Sequence, residues 1–192
     1  MRKIKLPLLI LLNCFSLLVS AQQQTALMEQ MKKMTKEHDP EKSIVLMNKI
    51  ITENKLDTVK DAETIDVLKG SVALAFLRDH QYNAFKKYIG GMKNKFNQTS
   101  YMDMGADMLV KEKKEVKMAE QLARETLDLY FSYKDDPGAR PQEMSEADWK
   151  RFMDFAQYPY YDTYASSLFA NGKYKRALEY QEKAFRDAPE EG

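Results

Sequence analysis

The chain has 192 residues, enough for one ordinary domain. Lysine and arginine number 30 against 29 acids, so the formal charge is +1 and no strongly basic surface for nucleic acid is implied. One cysteine and two histidines leave little from which to build a disulfide, a thiol chemistry or a metal site.

Arg2, Lys3 and Lys5 precede an apolar run from Leu6 to Val19, which closes on the small residues Ser20 and Ala21. That layout predicts a secretory signal peptide over residues 1–21, cleaved after Ala21. The apolar run is short for a transmembrane span. An uncleaved anchor is one alternative. A lipid anchor on Cys14 is another, although Phe15 to Val19 continue the apolar run past that cysteine. Residues 1–21 carry three positive charges and no acid, so their removal takes the formal charge from +1 to −2. It also removes the only cysteine, and no cysteine ligand or disulfide is expected in the remaining chain. The destination is the periplasm or the exterior, with no stable membrane span after cleavage.

Residues 22–192 read as a single helical-repeat domain. Gln22 to Gln24 form a polar leader. From Thr25 to His38, Leu27, Met28, Met31 and Met34 repeat at helical spacing. Asp39-Pro40-Glu41 is a helix start: an aspartate cap, proline in the first turn and an acid beside it. Ile44, Met47, Ile50 and Ile51 mark its buried face to about Asn54. A helix from Lys60 to Arg78 follows, with a stripe of Ile65, Leu68, Val72, Ala75 and Phe76. Asp79-His80 breaks it. Gln81 to Lys93 carries Tyr82, Phe85, Tyr88, Ile89 and Met92. Asn97-Gln98-Thr99-Ser100 is expected to punctuate, before a short helix through Tyr101, Met104, Gly105, Met108 and Leu109. A charged turn over Lys111 to Glu115 leads to a longer helix with Val116, Ala119, Leu122, Ala123, Thr126, Leu127 and Tyr130.

Residues 134–158 read as an insertion with a short helix. Asp135 to Pro141 contains two prolines and a glycine and cannot be regular helix. Ser145-Glu146-Ala147-Asp148 is a capping box opening a helix through Trp149, Phe152, Met153 and Phe155. The aromatics from Phe152 to Tyr164, with Trp149, are expected to pack as a junction with the last hairpin. That hairpin is the clearest unit. Tyr161, Tyr164, Ala165, Leu168 and Phe169 share one helical face. Gly172 stops the helix. Tyr174, Ala177, Leu178, Gln181, Ala184 and Phe185 form a second stripe, and Pro189 closes the unit.

This stretch, residues 161–189, resembles a tetratricopeptide repeat, a helical hairpin of about 34 residues with an aromatic, a Leu-Gly pair, a tyrosine, alanines and a closing proline at set places. Tyr161 takes the first aromatic place, Tyr164-Ala165 the Leu-Gly place and Leu168 the tyrosine place. Ala177, Ala184 and Pro189 fall on the second-helix alanines and the proline. Gln181 departs from the pattern, standing where a large apolar residue is usual. Ala84 and Ala119 lie 35 residues apart, near one period, whereas Ala119 and Ala177 lie 58 apart, so about 24 residues interrupt the series. The resemblance implies an all-α fold of stacked antiparallel helical hairpins, an α-solenoid of about three hairpins.

For function it implies an exported binding module for a protein or peptide. Family members bind through first-helix residues, here Asp162, Ser166 and Phe169. Leu178 and Phe185 fall where a second helix meets the next repeat, so both are expected to be partly exposed and open to a partner or to self-association through the last helix. A different class of reading makes the chain the accessory helical region of an exported thioredoxin-like disulfide reductase, whose Cys-x-x-Cys motif this chain lacks. No nucleophile elbow, phosphate loop, dinucleotide fingerprint or zinc-binding HExxH motif supports an enzyme, and no cofactor is expected. His38 and His80 sit near helix ends. Asn97-Gln98-Thr99 fits a glycosylation sequon, and Asp57-Thr58-Val59 fits either an O-glycan acceptor or a polar turn. The methionines on the apolar stripes are expected to fill the core.

Overall fold

A computed structural model describes residues 21–141 and 144–187. The expected signal peptide and Cys14 lie outside the described residues, apart from Ala21, as does Pro189. Every regular element among the described residues is helical, and they gather into two compact units.

The first unit holds α1 (Ala21–Met34), α2 (Pro40–Glu53), α3 (Ala62–Arg78) and α4 (Tyr82–Gly90). Helix α1 takes in Gln22 to Gln24, so the polar leader is helical, and the helix ends four residues before His38. Leu27, Met31 and Met34 are its buried positions. Helix α2 starts as expected, with Pro40 in its first turn and the Asp39 carboxylate accepting from the Lys42 N–H. That bond holds the Asp39 carboxyl below the usual carboxylate range. Between α2 and α3 the Asp57 carboxylate accepts the N–H groups of Val59 and Lys60, each at 2.8 Å, so this segment is an Asx-type turn.

Helix α3 is buried nearly all round, and Val72, Ala73, Ala75 and Leu77 have no exposed surface. One member of its buried set is charged. Asp66 is fully buried and accepts the Lys93 N–H at both carboxylate oxygens, 2.9 and 2.8 Å away. Lys69 lies 3.8 Å from Asp66 Oδ1 and donates to the Gly91 carbonyl. The chain leaving α4 is thereby fastened to α3. Helix α4 stops at Gly90, shorter than the expected extent to Lys93.

The second unit holds α5 (Lys95–Glu112), α6 (Val116–Tyr133), α7 (Glu146–Phe155), α8 (Gln157–Ala170) and α9 (Tyr174–Asp187). Helix α5 corrects the expected punctuation at Asn97 to Ser100, which is helical throughout. Asn94 is the cap, accepting from the Asn97 N–H at 3.2 Å. Thr99 turns its hydroxyl back to the Lys95 carbonyl at 2.7 Å, so a turn-forming residue is accommodated inside the helix. The sequon reading falls with it: Asn97 is 3% exposed in the folded chain. The expectation that Met104 fills the core is also corrected, since it is exposed. Lys113 and Glu115 both take left-handed backbone at the charged turn into α6.

The insertion contains a short 3-10 turn at Pro137–Ala139, and Ser145 caps α7 by accepting from the Asp148 N–H at 3.1 Å. Trp149 is buried, stacked on Phe152 and edge-on to Phe96 of α5. The expected aromatic cluster therefore divides: Trp149 and Phe152 of α7 meet Phe96 of α5, Tyr160, Tyr161 and Tyr164 of α8 meet rings of α6 and α9, and Phe155 stays exposed. Helix α8 starts at Gln157, so Pro159 lies in its first turn, where its missing N–H costs nothing.

Helices α6 and α8 run antiparallel. Phe131 pairs with Tyr161 and Tyr130 with Tyr160 near one end. Glu120 pairs with Lys173 and the Val116 carbonyl accepts from Asn171 near the other. Tyr130 and Leu168, with 1% and 0% exposure, sit in the core these helices share.

Candidate functional site

The last hairpin, α8 and α9, is joined by a three-residue connection whose geometry follows from Gly172. Gly172 has φ +73°, a conformation that costs an L side chain about 1–2 kcal/mol. It lets the Lys173 N–H reach the Leu168 carbonyl and the Gly172 N–H reach the Phe169 carbonyl, both at 2.9 Å, which is a Schellman closure of α8. Asn171 then donates to the Val116 carbonyl at 2.6 Å and Lys173 pairs with Glu120 at 2.7 Å, tying the turn to α6. A Cβ on Gly172 meets nothing within 4 Å, so the penalty is conformational alone. Gly172→Ala is therefore expected to lower stability by about 1–2 kcal/mol, read from the denaturant midpoint.

Small residues set the spacing of the pair. Ala177 and Ala184 are the buried positions of α9, 6% and 0% exposed. Around them the contacts are polar and aromatic. Arg176 donates to the Tyr164 hydroxyl at 2.7 Å, and Tyr180 sits edge-on to Tyr164 with ring centroids 4.6 Å apart. Lys183 lies 4.3 Å above the Tyr180 ring. Burial pushes the Tyr164 hydroxyl above its ordinary range, partly opposed by the Arg176 charge. Gln181, the departure from the repeat pattern, donates to Asp162 Oδ1 at 2.9 Å. It serves as a polar clasp between α8 and α9.

This packing corrects the expected second stripe. Ala177 and Ala184 face α8, while Tyr174, Leu178 and Phe185 turn outward at 63%, 61% and 82% exposure. The expected partial exposure of Leu178 and Phe185 is thus observed. Tyr174, Leu178, Gln181 and Phe185 follow one another at i, i+4, i+7 and i+11, so they share a face of α9. Phe169, 64% exposed, extends that face across the turn, its ring 5.2 Å from that of Tyr174. A shallow groove runs along α9, lined by Leu178, Gln181, Glu182, Phe185 and Arg186. Of the residues singled out from sequence, Phe169, Leu178 and Phe185 belong to this surface. Asp162 is engaged by Gln181 and Ser166 is half-buried. Tyr174 was missed because an aromatic on an amphipathic helix reads as core.

A second polar group, also missed, lies between α5 and α8. Part of Asp103 reaches the surface, yet its Oδ1 is enclosed and has no hydrogen-bond partner. Burial pushes the Asp103 carboxyl up to about 8, helped by the charges of Asp107 and Asp162 and opposed by the Thr163 hydroxyl and Lys111. Tyr160 is raised well above its ordinary value, mainly by burial and by the neighbouring Tyr133 and Asp103. Burial also pushes Tyr133 up to about 12. The hydroxyls of Thr99 and Tyr160 neighbour Tyr133, but neither meets hydrogen-bond geometry with its oxygen. Asp103 follows Phe96 and Thr99 at i+7 and i+4, so it stands on the buried face of α5, and that spacing was the available signal.

Among the described residues no group of three or more His, Cys, Asp or Glu side chains is arranged to hold a metal ion, and no helix is long and apolar enough to cross a membrane. No family model, curated protein or solved structure matches this chain.

Proposed function

We propose that this chain is an exported, non-catalytic binding module of tetratricopeptide-like helical hairpins, which holds a protein or peptide segment against its last hairpin. One observation supports the reading above others. Phe169, Tyr174, Leu178 and Phe185 all exceed 60% exposure on one hairpin whose own packing is completed by alanines. Apolar side chains collected on one surface mark interaction sites more often than scattered ones do. Aromatic side chains supply contact area at low entropy cost. The binding surface is assigned to the outer face of α9 with Phe169, and away from Asp162 and Ser166, whose positions are occupied by contacts within the hairpin or are half-buried.

The test uses a displayed library of random linear peptides. The purified chain is expected to enrich peptides sharing apolar anchors. The double variant Leu178→Ser/Phe185→Ser is expected to enrich none of them. Its unfolding midpoint should stay within about 0.5 kcal/mol of the parent, because exposed side chains contribute little to folding. Equal enrichment by both proteins overturns the assignment. Sedimentation of the same samples reports whether a second copy occupies the face instead.

A further inference from the structure

We propose that Asp103 is a proton-dependent latch, whose neutral carboxyl closes the joint between α5 and α8 and whose ionisation loosens it. The geometry carries this. Oδ1 is sealed from water and unpartnered, a position that a carboxylate oxygen tolerates poorly and a protonated carboxyl tolerates better. The surroundings offer almost no compensation for charge. From α5, Asp107 faces it, and the nearby Lys111 ammonium is already paired with that same Asp107. From α8, Thr163 supplies one hydroxyl, while Asp162 adds a further carboxylate and donates nothing. Tyr160, also on α8, lies close enough to feel the Asp103 charge, with Ser100 of α5 and Tyr133 and Tyr130 of α6 around its hydroxyl. Loss of the Asp103 proton sets three carboxylates against one ammonium at a helix contact.

The direction of the pH effect follows. Below the ordinary carboxyl value of 3.8, Asp103 is protonated whether the joint is closed or open. Between 3.8 and about 8, the closed state keeps the proton and the open, hydrated state releases it. Closure therefore weakens as pH rises through that window and levels off above it. Because α8 also carries Phe169, the latch governs how firmly that platform is held. The inference stands whether or not the platform binds a peptide.

Amide hydrogen exchange, corrected for its intrinsic pH dependence, tests it. The opening constant for α5 and α8 amides is expected to rise about tenfold per pH unit between about pH 5 and pH 7, the slope of one released proton. In Asp103→Asn, a neutral group of the same shape, that slope is expected to vanish. An unchanged slope in the variant overturns the proposal. The wild-type chain gives an independent reading should the variant fail to fold. The carboxyl carbon resonance of Asp103 is expected to titrate well above the ordinary carboxyl range, and a midpoint near 3.8 overturns the latch.

Discussion

Tyr130→Ala is expected to destabilise the chain by about 3–5 kcal/mol, the range for removing a large buried aromatic side chain. Tyr130 is 1% exposed and stands where three helices of the second unit meet. Its ring lies 5.3 Å from that of Tyr160 on α8 and 5.9 Å from that of Tyr133 on its own helix. Its hydroxyl donates to the Met153 carbonyl of α7 at 3.3 Å. Alanine leaves a cavity lined by aromatic side chains that collapse poorly, so both the transfer and the cavity costs apply. Tyr130→Phe separates the contributions. It keeps the ring and loses the hydroxyl's long hydrogen bond to Met153, and is expected to cost about 1 kcal/mol. The readout is the denaturant midpoint at constant slope. A loss below 1 kcal/mol for the alanine variant contradicts the packing described.

The second large effect is expected at Asp66. Asp66→Ala should cost about 2–4 kcal/mol, because charge-assisted hydrogen bonds each contribute about 1.5–3 kcal/mol. The carboxylate receives the same Lys93 N–H at both oxygens, and Lys69 lies nearby. Lys69 keeps the Gly91 carbonyl as a partner after the substitution, which holds the loss below that of a fully stranded buried ion pair. Asp66→Asn retains an acceptor for Lys93 and is expected to fall between the two. Denaturant unfolding measures all three proteins, and a neutral alanine variant contradicts the fastening of α4 to α3.

The elements that were legible in the sequence are those whose ends are chemically marked. Asp39-Pro40 and Ser145 to Asp148 start helices by local hydrogen bonds that need no tertiary partner, and both starts are found where their residues place them. Gly172 ends α8 for an equally local reason. The start of α5 was not legible. Asn97 to Ser100 favours turns when isolated, but burial of Phe96, Asn97, Thr99 and Tyr101 rewards a continuous helix. Tertiary packing outweighed local preference there.

The surface of the last hairpin was half legible. Helical spacing groups Tyr174, Ala177, Leu178, Ala184 and Phe185 on one broad stripe. It does not say which edge of that stripe meets α8. The alanines win because close approach lets Tyr164, Tyr180 and Arg176 interleave around them. The larger side chains are left outside. Asp66 and Asp103 were both hidden for one reason. A charge among apolar positions looks like a solvated residue until its surroundings, the Lys93 N–H in one case and an enclosed, unpartnered oxygen in the other, are placed in space.

The central claim is that the outer face of α9, with Phe169, is where another chain docks. Its most direct measurement is hydrogen exchange of the parent chain with and without a saturating peptide drawn from the library selection. Slowed exchange centred on α8, the Gly172 turn and α9, absent in Leu178→Ser/Phe185→Ser, is the predicted result. Protection confined to helices other than α8 and α9, or an identical footprint in the double variant, contradicts it.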